Sequence, residues 1–163
     1  MYKLLILFVF LGTTFQAKSQ LPSENQSDIF LYTQFGLTPK YSVVEVDSVE
    51  KSELYNRVLN WIKETYTNPD KVIKAQIDND KIRFEGYQDN LICVKVLGSE
   101  SCYGATYSIE IEVKDNKYRF VPLSLEYRVP SSQYARATDN PVDFNDGGNW
   151  FNKKGEVRSL NKT

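Results

Sequence analysis

Two periods divide the chain. From Ser52 to Tyr66 the apolar residues recur at helical spacing: Leu54, Val58, Trp61, Ile62 and Tyr66 form one stripe, which Tyr55 and Leu59 widen. Glu53, Asn56, Arg57, Asn60, Lys63 and Glu64 occupy the other side. A stripe this broad predicts a helix over about 50–66, laid across a sheet, with Trp61 and the tyrosines packed in the core. Glu50 and Glu53 stand near the start, where the positive end of the helix dipole favours acids. Ser48 or Ser52 is the expected N-cap. Asn68-Pro69-Asp70 should end the helix, because a residue before proline avoids the helical region.

Elsewhere the period is two. Lys40–Asp47 is rich in β-branched residues and predicts a first strand. After Pro69, Ile73, Ala75 and Ile77 alternate with Lys74 and Gln76, and Ile82, Phe84 and Gly86 alternate with Arg83 and Glu85. A two-residue loop at Asn79-Asp80 would set Ile77 against Ile82, Ala75 against Phe84, Gln76 against Arg83 and Lys74 against Glu85. That register keeps the apolar set on one face. Leu91–Leu97 is a further sheet segment with Ile92, Val94 and Val96 inward, and Gly98–Gly104 is expected to be a loop. In Thr106–Lys114, Tyr107, Ile109, Ile111 and Val113 point one way and Ser108, Glu110, Glu112 and Lys114 the other. Asp115-Asn116 makes a tight turn, since asparagine tolerates the left-handed conformation. Across it Val113 faces Tyr118, Ile111 faces Phe120 and Glu112 faces Arg119. The apolar parity flips after Val121-Pro122, which predicts a bulge there.

The two ends lack this order. Met1-Tyr2-Lys3, the apolar run Leu4–Leu11 and the small residues Ala17 and Ser19 predict a signal peptide over residues 1–19, cut before Gln20. The run is shorter than the roughly 20 apolar residues of a membrane span. No transmembrane segment is expected once it is removed. Residues 20–39 are expected to be a lead-in segment, 40–130 an α+β domain, and 131–163 an irregular C-terminal tail. In that tail Trp150-Phe151-Asn152 would make one last extended piece.

The segment Ser52-Glu53-Leu54-Tyr55-Asn56-Arg57 with Trp61, the hairpin Ile109–Arg119 and the stretch Trp150–Val157 resemble a family of secreted bacterial proteins of unknown function. The resemblance covers roughly residues 40–158. It implies a fold like the TATA-binding protein: a curved antiparallel β-sheet with the long helix on one face, in the α+β class. It also implies a C-terminal helix after Asn152-Lys153-Lys154-Gly155. Here the chain stops at Thr163, so less cover over the sheet face is expected. The family brings no catalytic, cofactor-binding or metal residues.

Composition narrows the chemistry. The 163 residues contain no histidine, which removes Ser-His-Asp and Cys-His nucleophile activation and histidine-ligated zinc. Twenty basic against 21 acidic residues leave no field for nucleic acid or an anionic membrane. Cys93 and Cys102 are the only cysteines. In an exported protein they form either a disulfide across the Gly98–Ser101 loop or two free thiols. Glu110 and Glu112 share one strand face. Paired carboxylates can perform acid/base work, but Lys114 and Arg119 beside them favour a charge-paired, solvated surface. Asp143, Asn145 and Asp146 hint at calcium, yet the EF-hand spacing is not met. Asn25-Gln26-Ser27 and Asn161-Lys162-Thr163 match the glycosylation acceptor pattern.

Together these readings predict no catalytic site, no metal site and no cofactor. The expected function is a non-enzymatic exported domain, in the periplasm, outer envelope or medium, that binds an envelope component or another protein. The alternatives are a small-ligand carrier, with its ligand between helix and sheet, and a carboxylate-based envelope hydrolase using Asp143 and Asp146.

Overall fold

The hairpin at Asp115-Asn116 sets the frame of the molecule. The computed structural model describes residues 30–96 and 99–158, the side chains of 94–99 apart. The expected signal peptide, residues 20–29 of the lead-in and both glycosylation patterns lie outside the described residues. In chain order the elements are β1 (Leu31–Thr33), β2 (Gly36–Thr38), β3 (Ser42–Glu45), α1 (Lys51–Thr65) and α2 (Pro69–Val72). They continue with β4 (Ile73–Ile77), β5 (Lys81–Val96), β6 (Ser99–Lys114), β7 (Lys117–Val129) and β8 (Thr138–Pro141). β1 and β2 pair with each other alone. The main sheet is antiparallel, in the order β3-β7-β6-β5-β4, and β8 joins β7 beside β3.

The β6–β7 turn has the register read from the alternation: Val113 opposes Tyr118, Ile111 opposes Phe120, and Glu112 opposes Arg119. Asn116 takes the left-handed conformation at φ 63°. The parity flip is absorbed between Pro122, which opposes Ile109, and Ser124, which opposes Ser108. Leu123 is the extra residue, so the bulge lies just beyond Val121-Pro122.

The β4–β5 turn corrects the expected register. Ile77 opposes Lys81, Gln76 opposes Ile82 and Ala75 opposes Arg83. The loop therefore holds three residues, Asp78 to Asp80, with Asn79 at φ 55° and the Asp80 N–H donating to the Ile77 carbonyl at 2.9 Å. A bulge between Ile73 and Ala75 then returns Ile73 to face Phe84. Ile77 is left 53% exposed. The expected loop at Gly98–Gly104 is also corrected, since Ser99–Gly104 is strand and continues β6. Two long strands pair from Lys81 with Glu112 out to Val96 with Ser99. Their ladder is interrupted where Asp89, Asn90 and Leu91 stand against Gly104.

α1 lies on one face of this sheet. Leu54, Tyr55 and Ile62 are buried against Ile82, Phe84, Ile111 and Val113. Val58, Leu59, Tyr66, Tyr107, Ile109, Tyr118 and Phe120 pack around them. Phe84 and Ile62 are fully buried, so the space between helix and sheet holds core and no ligand. Trp61 departs from its expected place. It is 47% exposed and stands edge-on to Phe84 and Tyr66, with ring centroids 5.7 and 6.2 Å away.

Neither Ser48 nor Ser52 caps α1. Glu50 holds the cap position without a side-chain bond. The β6–β7 turn supplies the partners instead. Asp115 Oδ1 accepts the Lys51 N–H at 2.9 Å, and Asn116 Oδ1 accepts the Val49 N–H at 3.1 Å. Asp115→Ala should cost about 1 kcal/mol, the usual scale of a lost cap. Asp115→Asn should retain most of that stability. Urea titration reads the difference, and an unchanged midpoint in the alanine variant would show the helix start to be held otherwise.

At the other end of α1, Tyr66 and Tyr107 share a hydroxyl–hydroxyl hydrogen bond of 2.7 Å. Burial first, then that bond, raises the Tyr66 phenol well above its ordinary value. The fold thus favours the neutral phenol. Its contribution is complete below the unfolded value near about pH 10, and is lost as pH rises from there toward the folded value. Tyr66→Phe should flatten the alkaline fall in stability. Urea midpoints across that range check it, and parallel slopes in the two proteins would refute it.

Both ends are more ordered than expected. The lead-in contains the β1–β2 hairpin, and the tail contributes β8 to the sheet. The Phe151–Val157 bridge closes a tight turn around Asn152–Gly155. The ends also hold each other. Leu37 N–H donates to the Phe144 carbonyl at 2.9 Å, and Gly147 N–H to the Gln34 carbonyl at 3.2 Å. Lys40 Nζ bonds the Phe144 carbonyl, and also Asn145 Oδ1 at 3.2 Å. Phe30 lies against Phe120 with centroids 5.7 Å apart, tying the lead-in to the sheet.

Candidate functional site

α1 reaches along β6 only as far as Tyr107. The same face continues through Ala105 and Tyr103, because side chains alternate along a strand. Across from them, Tyr127 opposes Ala105 on β7 and Ile92 opposes Tyr103 on β5. The bulge at Leu123 brings Tyr127 to this face; without it Tyr127 would point to the other. Over this half of the sheet stand the two chain ends in place of a helix. Tyr32 comes from β1, Asn140 and Pro141 from β8, and Trp150, Phe151, Val157 and Arg158 from the last turn. Between them and the sheet runs an open cleft of about 1050 Å³.

Aromatic rings line its middle. Tyr103 and Tyr127 have centroids 5.9 Å apart, and Tyr127 and Trp150 5.6 Å. Tyr32 and Phe151 meet at 6.0 Å. Burial raises the Tyr127 phenol above its ordinary value, with a smaller push from Tyr103. Burial also raises that of Tyr32, helped by the Asp143 and Asp146 carboxylates. Both phenols therefore stay neutral and able to donate at neutral pH. Tyr32 uses its hydroxyl on the carbonyls of Asp143, at 2.8 Å, and Asp146, at 3.1 Å. That anchors β1 to the tail and fixes one wall. The rim carries Glu100, Asn140, Asn149 and Arg158.

The residues singled out by sequence are dispersed around this cleft. Cys93 and Cys102 are cross-strand partners on β5 and β6, joined by a disulfide, and Cys93 lines the cleft's outer end. Glu110 and Glu112 lie on the opposite sheet face. Glu110 is buried and bonded by Arg83 at 2.8 Å, with Lys81 at 3.7 Å, and Glu112 pairs with Arg119. Asp143 and Asp146 cap turns: their Oδ1 atoms accept the N–H groups of Asn145, at 2.8 Å, and Gly148, at 2.7 Å. Among the described residues no three acidic or cysteine side chains converge as a metal-binding group would.

Tyr103 and Trp150 escape pattern reading for a definite reason. Tyr103 fell in the segment read as a loop, and Trp150 in the segment without period. The available signal was the Trp150-Phe151 pair, two large aromatics placed in a polar tail that cannot bury them by itself.

The fold is similar to the crystal structure of a TBP-like protein from Parabacteroides distasonis ATCC 8503. The TM-score is 0.52, with 74% of this chain and 72% of that chain covered at 15% sequence identity. Identity that low carries the fold alone. A search of curated proteins found no match. Residues 41–128, from the start of β3 almost to the end of β7, match the family described as a domain of unknown function (DUF4468) with TBP-like fold. Tyr103 and Tyr127 lie inside that span, and Tyr32, Trp150 and Phe151 outside it. With more than half of its length matched, the chain belongs to this family of TBP-like domains of unknown function.

Proposed function

We propose that this protein is an exported binding domain and that the aromatic cleft is its binding site. One observation carries the reading. The sheet face left free by α1 is walled by both chain ends into a cleft of about 1050 Å³ with convergent aromatic and polar groups. A concave, aromatic-lined site with a few polar groups is the usual form of a ligand site. Catalysis has less support: the chain has no histidine, and Glu110, Glu112, Asp143 and Asp146 are committed to ion pairs and turns. The paired charges on the opposite face argue against nucleic acid, which needs an uncompensated basic surface.

Export rests on the pattern of residues 1–19, and a disulfide at Cys93 and Cys102 suits an oxidising compartment. No helix among the described residues is long and apolar enough to cross a membrane. N-terminal sequencing of the protein from its native cell should begin at Gln20, and a retained Met1 would sink the export reading.

The binding reading is tested through Trp150. Trp61 is the only other tryptophan, so Trp61→Phe leaves one reporter in the cleft. Fractions of envelope extract should include one that shifts Trp150 emission, with Tyr127→Ala removing the shift. If every fraction left the emission unchanged, the cleft would not be the binding site.

A further inference from the structure

The geometry points to a carbohydrate chain as the ligand of the cleft, an inference that rests on the cleft being the binding site. Tyr103, Tyr127 and Trp150 form a continuous aromatic strip, each ring within 6 Å of the next. An aromatic face is electron-rich and attracts the weakly positive C–H groups of a sugar ring. Beside the strip stand the groups that would meet sugar hydroxyls. Asn140 already spends its Nδ2 on Thr138, at 3.1 Å to the carbonyl and 3.2 Å to Oγ1, which leaves its Oδ1 as an acceptor. Arg158 uses Nε on the Phe151 carbonyl at 2.9 Å, which fixes its guanidinium at the rim. Asn149 and Glu100 complete the polar set.

Three other ligand classes fit less well. One guanidinium and one carboxylate at the rim cancel, so the cleft does not select a strongly charged ligand. An acyl chain favours an enclosed apolar cavity, and this cleft is open and edged by polar groups. A peptide that binds by adding a strand needs a free sheet edge. Here the β7 edge beside the cleft is already taken by β8, and Val142 N–H closes the gap with a 2.8 Å bond to the Leu125 carbonyl. What remains is a neutral ligand with alternating apolar faces and hydroxyl edges. The volume exceeds a single ring and suits a short oligosaccharide.

The test uses the Trp61→Phe protein with defined probes: tetramers of β-1,4-linked N-acetylglucosamine, β-1,4-linked glucose and α-1,4-linked glucose, then a tetra-alanine peptide and lauric acid. At least one oligosaccharide should shift Trp150 emission in a saturable way. Tyr127→Ala should weaken that binding about tenfold or more, the scale of losing one stacked ring. Glu100→Gln, an exposed substitution, keeps the test open should Tyr127→Ala fail to fold, and should weaken the same sugar measurably. Binding of lauric acid or the peptide with no sugar would overturn the carbohydrate assignment and leave the cleft as the site. No response to any sugar, alongside a positive envelope fraction, would also overturn it. Silence from all probes and all fractions would overturn both readings.

Discussion

Phe84→Ala should destabilise the domain by about 3–5 kcal/mol, the range for truncating a buried phenylalanine. Phe84 has no exposed surface and sits where the helix, the sheet and the aromatic end of α1 meet. Trp61 stands edge-on to it at 5.7 Å, Tyr66 lies at 5.9 Å, and Ile109 is its cross-strand partner. None of these can collapse into the space without losing its own contacts, so the cavity should persist. A domain of this size has about 5–15 kcal/mol in total, so the loss would lower the melting temperature on the order of 10–20 °C. Ile77→Ala is the informative companion. The two-residue turn would have set Ile77 against Ile82 in the core. The three-residue turn leaves it half exposed on the strand end, and its truncation should change stability by about 0.5 kcal/mol or less. Comparable urea-midpoint losses in the two variants would refute the observed register.

Gly147→Ala should detach the terminal lobe from itself while sparing the main sheet. A Cβ at Gly147 would fall 1.9 Å from the Thr33 carbonyl oxygen. That atom is backbone, held in the β1–β2 hairpin, so it cannot swing aside as a side-chain tip would. The collision also strains the bond from Gly147 N–H to Gln34. Overpacking of this kind costs about 1–3 kcal/mol, or roughly a tenfold to hundredfold rise in local opening. Amide exchange should show it. The Leu37 amide and the amide at position 147 should exchange faster by that factor, and Ile111 in the centre of the sheet should keep its protection. Gly148→Ala is the control, because its Cβ would meet only the Asp146 carboxylate at 3.0 Å, the end of a movable side chain. Equal acceleration at Ile111 would mean the lobe and the sheet unfold as one unit. An unchanged Leu37 would mean the hairpin does not depend on the tail.

These two outcomes divide the molecule along the line that divided its legibility. The helix from Lys51 to Thr65 and the hairpin around Asp115-Asn116 were readable because each is local. Helical spacing and strict alternation are properties of neighbouring residues, and a two-residue turn locks its own register. The β4–β5 register was not readable. A three-residue turn plus a bulge at Ile73 satisfies Phe84 as well as a two-residue turn does, and the sequence does not rank them. The helix cap was missed because its acceptors, Asp115 and Asn116, arrive from more than 60 residues away.

The sequence by itself determined the class of the fold, the helix, the central hairpin and the core face of the sheet. Through the absence of histidine it also excluded chemistry that needs an imidazole. Only the tertiary structure decided where the candidate site lies. Tyr103 and Tyr127 share a face because one bulge at Leu123 shifts β7 by a residue. Tyr32 and Trp150 join them because the two ends of the chain bond to each other across more than 100 residues. The bulge leaves a local trace, the flipped parity after Val121-Pro122, and the face it gives Tyr127 follows from that. The bonds between the two ends join residues far apart in the chain, and local patterning carries no record of them.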